Sequence, residues 1–176
     1  MIEIKDKAEC CGCEACANVC PKHCITMKED EEGFRYPVIN KEKCINCGLC
    51  EKVCPLIEEP KRNALENLEF YAAYNNDDIQ LKNSSSGGIF ILLAKKFLKE
   101  NGTVYGVIQD SVYDVKFIRA TTEEGCKKMQ GSKYLQATID DIYNEVKKDL
   151  EQKIPVLFSG TPCQVAGLYK VVRERL

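Results

Sequence analysis

Cys10-Cys11-Gly12-Cys13-Glu14-Ala15-Cys16-Ala17-Asn18-Val19-Cys20-Pro21 returns 34 residues later as Cys44-Ile45-Asn46-Cys47-Gly48-Leu49-Cys50-Glu51-Lys52-Val53-Cys54-Pro55. Both stretches read C-x2-C-x2-C-x3-C-P. Ten of the twelve cysteines fall within residues 10–54. Such density suits either a disulfide scaffold or a metal protein. No apolar leader precedes the cysteines in MIEIKDKAEC, which argues against a secreted disulfide scaffold. Zinc also accepts four thiolates, but it favours two C-x2-4-C knuckles separated by a longer loop. Three ligands at successive two-residue gaps, then a three-residue gap and proline, fit zinc poorly. They suit soft thiolate ligation of iron in a cubane.

Two-residue gaps let three cysteines wrap one face of a cluster, while the fourth lies beyond reach of that cluster and ligates the other. The expected ligands are therefore Cys10, Cys13, Cys16 and Cys54 for one [4Fe–4S] cluster, and Cys20, Cys44, Cys47 and Cys50 for the second. Gly12 and Gly48 sit where backbone amides approach cluster sulfur. Pro21 and Pro55 stiffen the loop exits. Ile2 and Ile4, Cys24–Met27, Phe34–Val38 and Leu56-Ile57 are expected as short strands flanking the loops. The clusters would replace the core that so short a segment lacks. Cys11 and Cys24 read as small buried residues, and His23 as a surface residue. All eight ligands and both prolines resemble the bacterial two-[4Fe–4S] ferredoxin domain.

The rest of the composition narrows the function. Net charge is −2 and the pI about 5.6, so no basic field is available to hold nucleic acid. The longest strongly apolar run, Ile89–Ala94, is too short for a membrane span. Oxidisable thiolates and sulfide call for a reducing compartment, and the expected location is the cytoplasm.

The predicted organisation is a ferredoxin domain over 1–60, a linker over 61–70 and an α/β domain over 71–176. In the last part Phe70–Tyr74 reads as a strand. A wide apolar face over Ile89–Leu98, stopped by Asn101-Gly102, reads as a helix. Strands follow over 103–109 and 112–118, helices over 122–129 and 138–151, and a buried strand at 154–159 parallel to 103–109. A helix starts at Thr161.

Three features there carry chemistry. Ser84-Ser85-Ser86-Gly87-Gly88 offers hydroxyls and unhindered amides at a helix start, suited to phosphate or a flavin's polar edge. It is neither a Walker A motif nor a G-x-G-x-x-G fingerprint. Gly131-Ser132-Lys133-Tyr134 places a cation and a ring in one turn. Ser159-Gly160-Thr161-Pro162-Cys163-Gln164 ends a strand and opens a helix with a capping box, putting Cys163 where first-turn amides lower a thiol's pKa.

The paired cysteine units, NSSSGGIF, GSKY and SGTPCQ together resemble the coenzyme F420 hydrogenase/dehydrogenase beta-subunit family. That resemblance implies an iron–sulfur flavoprotein oxidoreductase that binds FAD and passes electrons to a deazaflavin, a flavin-type acceptor or a redox partner protein. It implies Ser86, Gly87, Gly88, Lys133 and Tyr134 at the flavin and Cys163 as a catalytic thiol near the cofactor or a further cluster. The family continues beyond SGTPCQ, so the fold expected here is an α+β ferredoxin-type two-cluster domain followed by an α/β domain incomplete at its C-terminus. FAD is expected in the full-length protein. The competing reading is a non-enzymatic ferredoxin-like carrier or wiring subunit that docks a partner oxidoreductase.

Overall fold

A computed structural model describes residues 1–57 and 69–174. All but the last two residues of the linker expected over 61–70 lie outside them. Along the chain run α1 (Ala15–Val19), β1 (Ile25–Glu29), β2 (Arg35–Ile39), α2 (Leu49–Lys52), α3 (Asp78–Lys82), α4 (Ile89–Lys99), β3 (Thr103–Gln109), β4 (Val115–Ala120), α5 (Glu123–Lys128), α6 (Ile142–Glu151), β5 (Val156–Phe158) and α7 (Pro162–Arg173). Internal contacts divide the described residues into two units. One comprises the residues up to 57 with 139–144 and 161–174; the other comprises 69–138 and 145–160.

In the first unit the sequence repeat is also a backbone repeat. Positive φ angles occur at Gly12 (64°) and its counterpart Asn46 (53°), and at Glu14 (59°) and its counterpart Gly48 (76°). Each left-handed turn opens a short helix that carries the third cysteine of its unit, Cys16 in α1 and Cys50 in α2. β1 and β2 form an antiparallel hairpin with Ile25 opposite Ile39. Its turn is closed by Asp30, whose carboxylate accepts the amides of Glu32 and Phe34 at 3.0 Å each. The expected strands at Ile2–Ile4 and Leu56-Ile57 do not form, and no strand among the described residues pairs with either. Ile2 instead donates its amide to Cys50 Sγ at 3.3 Å. The core is mostly sulfur: Cys16, Cys20, Cys24 and Cys50 pack with Ile2 and Ile25.

The second unit holds a three-stranded sheet ordered β4-β3-β5. β3 pairs antiparallel with β4, and parallel with β5 through Thr103↔Val156 to Tyr105↔Phe158. The parallel pairing expected from the sequence thus forms. β3 is buried almost throughout, as a central strand must be, whereas β4 alternates with Val115 and Phe117 inward. Ile91 and Ala94 of α4 pack on Val104, Ile108, Ala120 and Met129. Two boundaries shift. Asp110–Asp114 is the hairpin turn, closed by the Asp110 amide on the Asp114 carbonyl at 3.0 Å, so β4 starts later than 112. Thr138 bridges β4, and α6 starts only at Ile142. The strand expected at Phe70–Tyr74 is absent. The segment finds no sheet edge, and Phe70, Tyr71 and Tyr74 are largely exposed. α3, capped by Asp77 on the amides of Ile79 and Gln80, was not anticipated.

Candidate metal centre

Two cavities open among the thiols of the first unit. One is lined by Cys10, Cys13, Cys16 and Cys54, with Cys11, Met27 and Leu56 beside them. The other is lined by Cys20, Cys44, Cys47 and Cys50, with Cys24, Ile25 and Ile39 beside them. Their empty volumes, counted out to solvent, are alike at about 340 and 370 Å³. Each cavity therefore takes three cysteines from one repeat and the last cysteine of the other. The cause is local. After α1 the chain turns at Cys20, and after α2 at Cys54, so each final thiol leaves the loop that bears its neighbours.

Among the described residues no three His, Cys, Asp or Glu side chains converge on a point as they would around a single ion. The cysteines instead line the two cavities. Four thiols lining one cavity are the donor set that a [4Fe–4S] cubane takes. Backbone amides also point at sulfur: Gly12 at Cys10, Ala15 at Cys13 and Cys24 at Cys20. Such donors stabilise thiolate and tune cluster potentials.

Three of these thiols, all lining the first cavity, are shifted up. Cys16 rises to about 12, chiefly through desolvation. Cys10 is raised by the same cause. Cys13 is raised by its hydrogen bond with Cys11 and then by burial, and that contact lowers Cys11 to about 6. For Cys20 burial opposes ionisation, but the Cys24 amide and thiol with the amides of Lys22 and His23 bring the net shift down. Buried neutral thiols must lose their protons to bind metal, so loading here would release protons. Each cavity has two buried candidate ligands, Cys13 and Cys16 in the first and Cys20 and Cys50 in the second, and they differ at one position. Cys47, in the second, is exposed beside Ile45. His23 is exposed, as expected, and Cys24 is buried.

Cys163 packs with the first unit rather than with the α/β sheet. Its helix, α7, belongs to the first unit, and its thiol meets that of Cys11 and lies 3.2 Å from Thr161 Oγ1. Burial is the largest influence and raises its pKa, with the Thr161 hydroxyl and Gln164 amide opposing only in part. The expected depression is corrected on that ground. Other features at this helix start match expectation: Pro162 is its first residue, and Gln164 Oε1 accepts the Thr161 amide at 2.9 Å.

In the second unit a cleft of about 830 Å³, likewise counted out to solvent, is lined by Ser84 to Phe90, Gly106, Val107, Met129 to Ser132 and Ser159. It brings together Ser86, Gly87, Gly88 and the first half of the GSKY turn. The Ser132 amide donates to Ser85 Oγ at 2.7 Å, and Gln130 Nε2 to Ser84 Oγ at 3.2 Å. Gly88 caps α4 with φ 69° and supplies no side-chain cap bond to the first-turn amides, and Gly88, Ile89 and Phe90 line the cleft. Lys133 and Tyr134 do not line it. The Lys133 ammonium donates to the carbonyls of Met129, Gln130 and Gly131 at 2.8, 2.8 and 3.0 Å, closing the end of α5. Tyr134 is 92% exposed. Reading the sequence missed Gly106, although glycine inside a strand signals close approach; the Met129 side chain lies over it. It also missed Asn75, whose amide and side chain hold the carbonyls of Gly87 and Gly88 at 2.7 and 3.3 Å.

A methyl at Gly87 would stand 2.5 Å from the Ala73 carbonyl and 3.4 Å from Tyr74 Cα, both backbone atoms that cannot swing aside. Gly87→Ala is expected to lower stability by about 1–3 kcal/mol through overpacking, read as an earlier urea midpoint. An unchanged midpoint would mean that this wall of the cleft yields.

The protein-family model described as a 4Fe-4S dicluster domain matches residues 9–56. No curated protein matches the chain. The N-terminal segment is thus a ferredoxin-type domain of the 4Fe-4S dicluster class, a domain of electron transfer in general terms. No helix among the described residues is long and apolar enough to cross a membrane.

Proposed function

We propose that the protein is an electron-transfer module of an iron–sulfur flavoprotein oxidoreductase, with two [4Fe–4S] clusters in its first unit and a flavin-type site at the cleft of its second. The observation that carries this reading is the pair of cavities, each lined by three cysteines of one repeat and one of the other. Each cluster, when bound, supplies a one-electron redox centre. The residues do the rest. Cys10, Cys13, Cys16 and Cys54 would hold the first and Cys20, Cys44, Cys47 and Cys50 the second. The amides of Gly12, Ala15 and Cys24 orient toward sulfur and offset the charge gained on reduction. Ile2, Ile25 and Val19 keep water from the sulfur core.

At the cleft, Ser85, Ser86 and the amides opening α4 suit an anionic or carbonyl edge, and Phe90, Val107 and Met129 suit a flat apolar ring. This supports the resemblance to F420 hydrogenase/dehydrogenase beta subunits, with FAD, a deazaflavin or a redox partner protein as electron acceptor, in a reducing cytoplasm. One observation favours the alternative of a carrier without its own flavin: Lys133 is spent on backbone carbonyls and Tyr134 faces solvent, so neither reaches the cleft.

Anaerobic purification followed by iron, sulfide and flavin analysis tests both halves. About eight iron and eight sulfide per chain are expected for two cubanes. About four would leave a single cluster. Flavin that neither copurifies nor is reduced by the dithionite-reduced protein would select the carrier reading.

A further inference from the structure

Glu14 occupies a position that the second repeat gives to Gly48, and it does so with the same positive φ. Left-handed backbone costs a non-glycine residue about 1–2 kcal/mol. Nothing within 4 Å would obstruct a side chain at Gly48, so glycine there answers to backbone angle alone. What needs explaining is a buried carboxylate in the strained place.

The carboxylate is fully engaged. Glu14 is 4% exposed, its Oε1 accepts from Arg35 at 2.9 Å and its Oε2 accepts the Asp140 amide at 3.1 Å. One residue earlier, the Cys13 carbonyl lies 2.9 Å from the hydroxyl of Tyr143, which has no exposed surface. The same hydroxyl lies 3.0 Å from the Gln164 carbonyl and carries one proton for the two. The Cys13 carbonyl and the Glu14 carboxylate, on adjacent residues, are thus each held by a residue more than 120 positions away in the chain, all within the first unit. The Ala15 amide that follows is the one aimed at Cys13 sulfur.

Resting on the two-cluster reading above, the geometry points to Tyr143 and Glu14 as positioning residues for the first cluster: they hold the Cys13–Ala15 turn so that the Ala15 amide stays on the Cys13 sulfur. Among the described residues no such clamp is built at the second repeat, where Gly48 replaces the acid. An N–H to thiolate bond favours the reduced, more negative cluster, so loosening the turn should lower the potential of the first cluster and leave the second in place.

The test is an anaerobic redox titration followed by electron paramagnetic resonance on the full chain and on Tyr143→Phe, which removes one oxygen and keeps the ring. At a fixed ambient potential the reduced-to-oxidised ratio of the first cluster is expected to fall ~5-fold, the size of a weakened charge-assisted hydrogen bond. The second cluster's ratio should not move. Loss of the first cluster alone, seen as half the iron, would also support the assignment. Equal shifts in both clusters, or none in either, would overturn it. If Tyr143→Phe assembles neither cluster, Glu14→Gly decides. It installs the residue the second repeat uses, relieves the backbone, and must shift the first cluster alone. Unmodified protein with other than about eight iron would sink the two-cluster reading itself, a result distinct from eight iron with unmoved potentials.

Discussion

Cys54→Ser is expected to remove the cluster held by Cys10, Cys13 and Cys16, some forty residues away in sequence, and with it about half the iron. The cluster formed by Cys44, Cys47 and Cys50 should survive. The reason is reach. Cys54 lines the cavity of the first three cysteines, together with Met27 and Leu56, and does not line the cavity of its own repeat. The helix α2 ends at Lys52, and Val53 and Cys54 turn the chain away from Cys50. Cys20→Ser should do the converse, since Cys20 faces Cys44, Cys47 and Cys50. Serine keeps the volume but offers iron a harder and far less acidic donor. Resonance spectra and iron counts on both variants check the pattern. Loss of the sequence-local cluster in each variant would overthrow the crossed assignment, and equal loss of both would show only collapse.

The second large effect is expected at Asp149 in the other unit. Its Oδ2 accepts from the Thr103 hydroxyl at 2.8 Å, the Tyr105 hydroxyl at 2.7 Å and Arg119 Nε at 2.8 Å, while Oδ1 accepts from Arg119 Nη2 at 2.9 Å. Thr103 and Tyr105 are buried on β3, the strand shared by both sheet pairings. Asp149→Ala strands two buried hydroxyls and a guanidinium. The expected loss is ~3 kcal/mol, within the range for breaking a buried hydrogen-bonded pair. Hydrogen exchange at the β3 amides reads it directly and does not depend on the metal.

The same carboxylate sets a pH response. Burial would raise its pKa, but the bonds from Arg119, Tyr105 and Thr103 outweigh burial and hold it below the ordinary carboxylate value. A depressed folded pKa means that the stabilisation is present above the unfolded value of about 3.9 and is lost as pH falls through the folded one. The β3 amides should lose protection in that acid window, and Asp149→Asn should flatten the response. An identical acid slope in Asp149→Asn would assign the loss to other carboxylates.

Much of this is legible in the order of residues alone. The cysteine spacing carries its own geometry, because thiolates two residues apart can reach one cluster face whatever surrounds them. The apolar helix over 89–99 and the central strand at 103–109 follow from periodicity and from the glycine that stops the helix. The helix start at Thr161 follows from capping chemistry, in which three neighbouring residues satisfy one another locally. The strand at Phe70–Tyr74 failed because a run of aromatic residues shows fitness for a sheet but cannot supply the neighbour to pair with.

Residue order therefore settles the local chemistry: which thiols can serve and where helices open. Which distant groups meet them is settled by tertiary packing. Cys163 is legible as a helix-start thiol. That it meets Cys11, under burial that raises rather than lowers its pKa, depends on where α7 packs. Lys133 is legible as a cation in a turn, and its choice of the carbonyls that follow α5 over the cleft depends on how that turn folds back. The Tyr143 hydroxyl on the Cys13 carbonyl joins residues 130 positions apart. A hydrogen bond is satisfied by distance in space, and a single sequence records only distance along the chain.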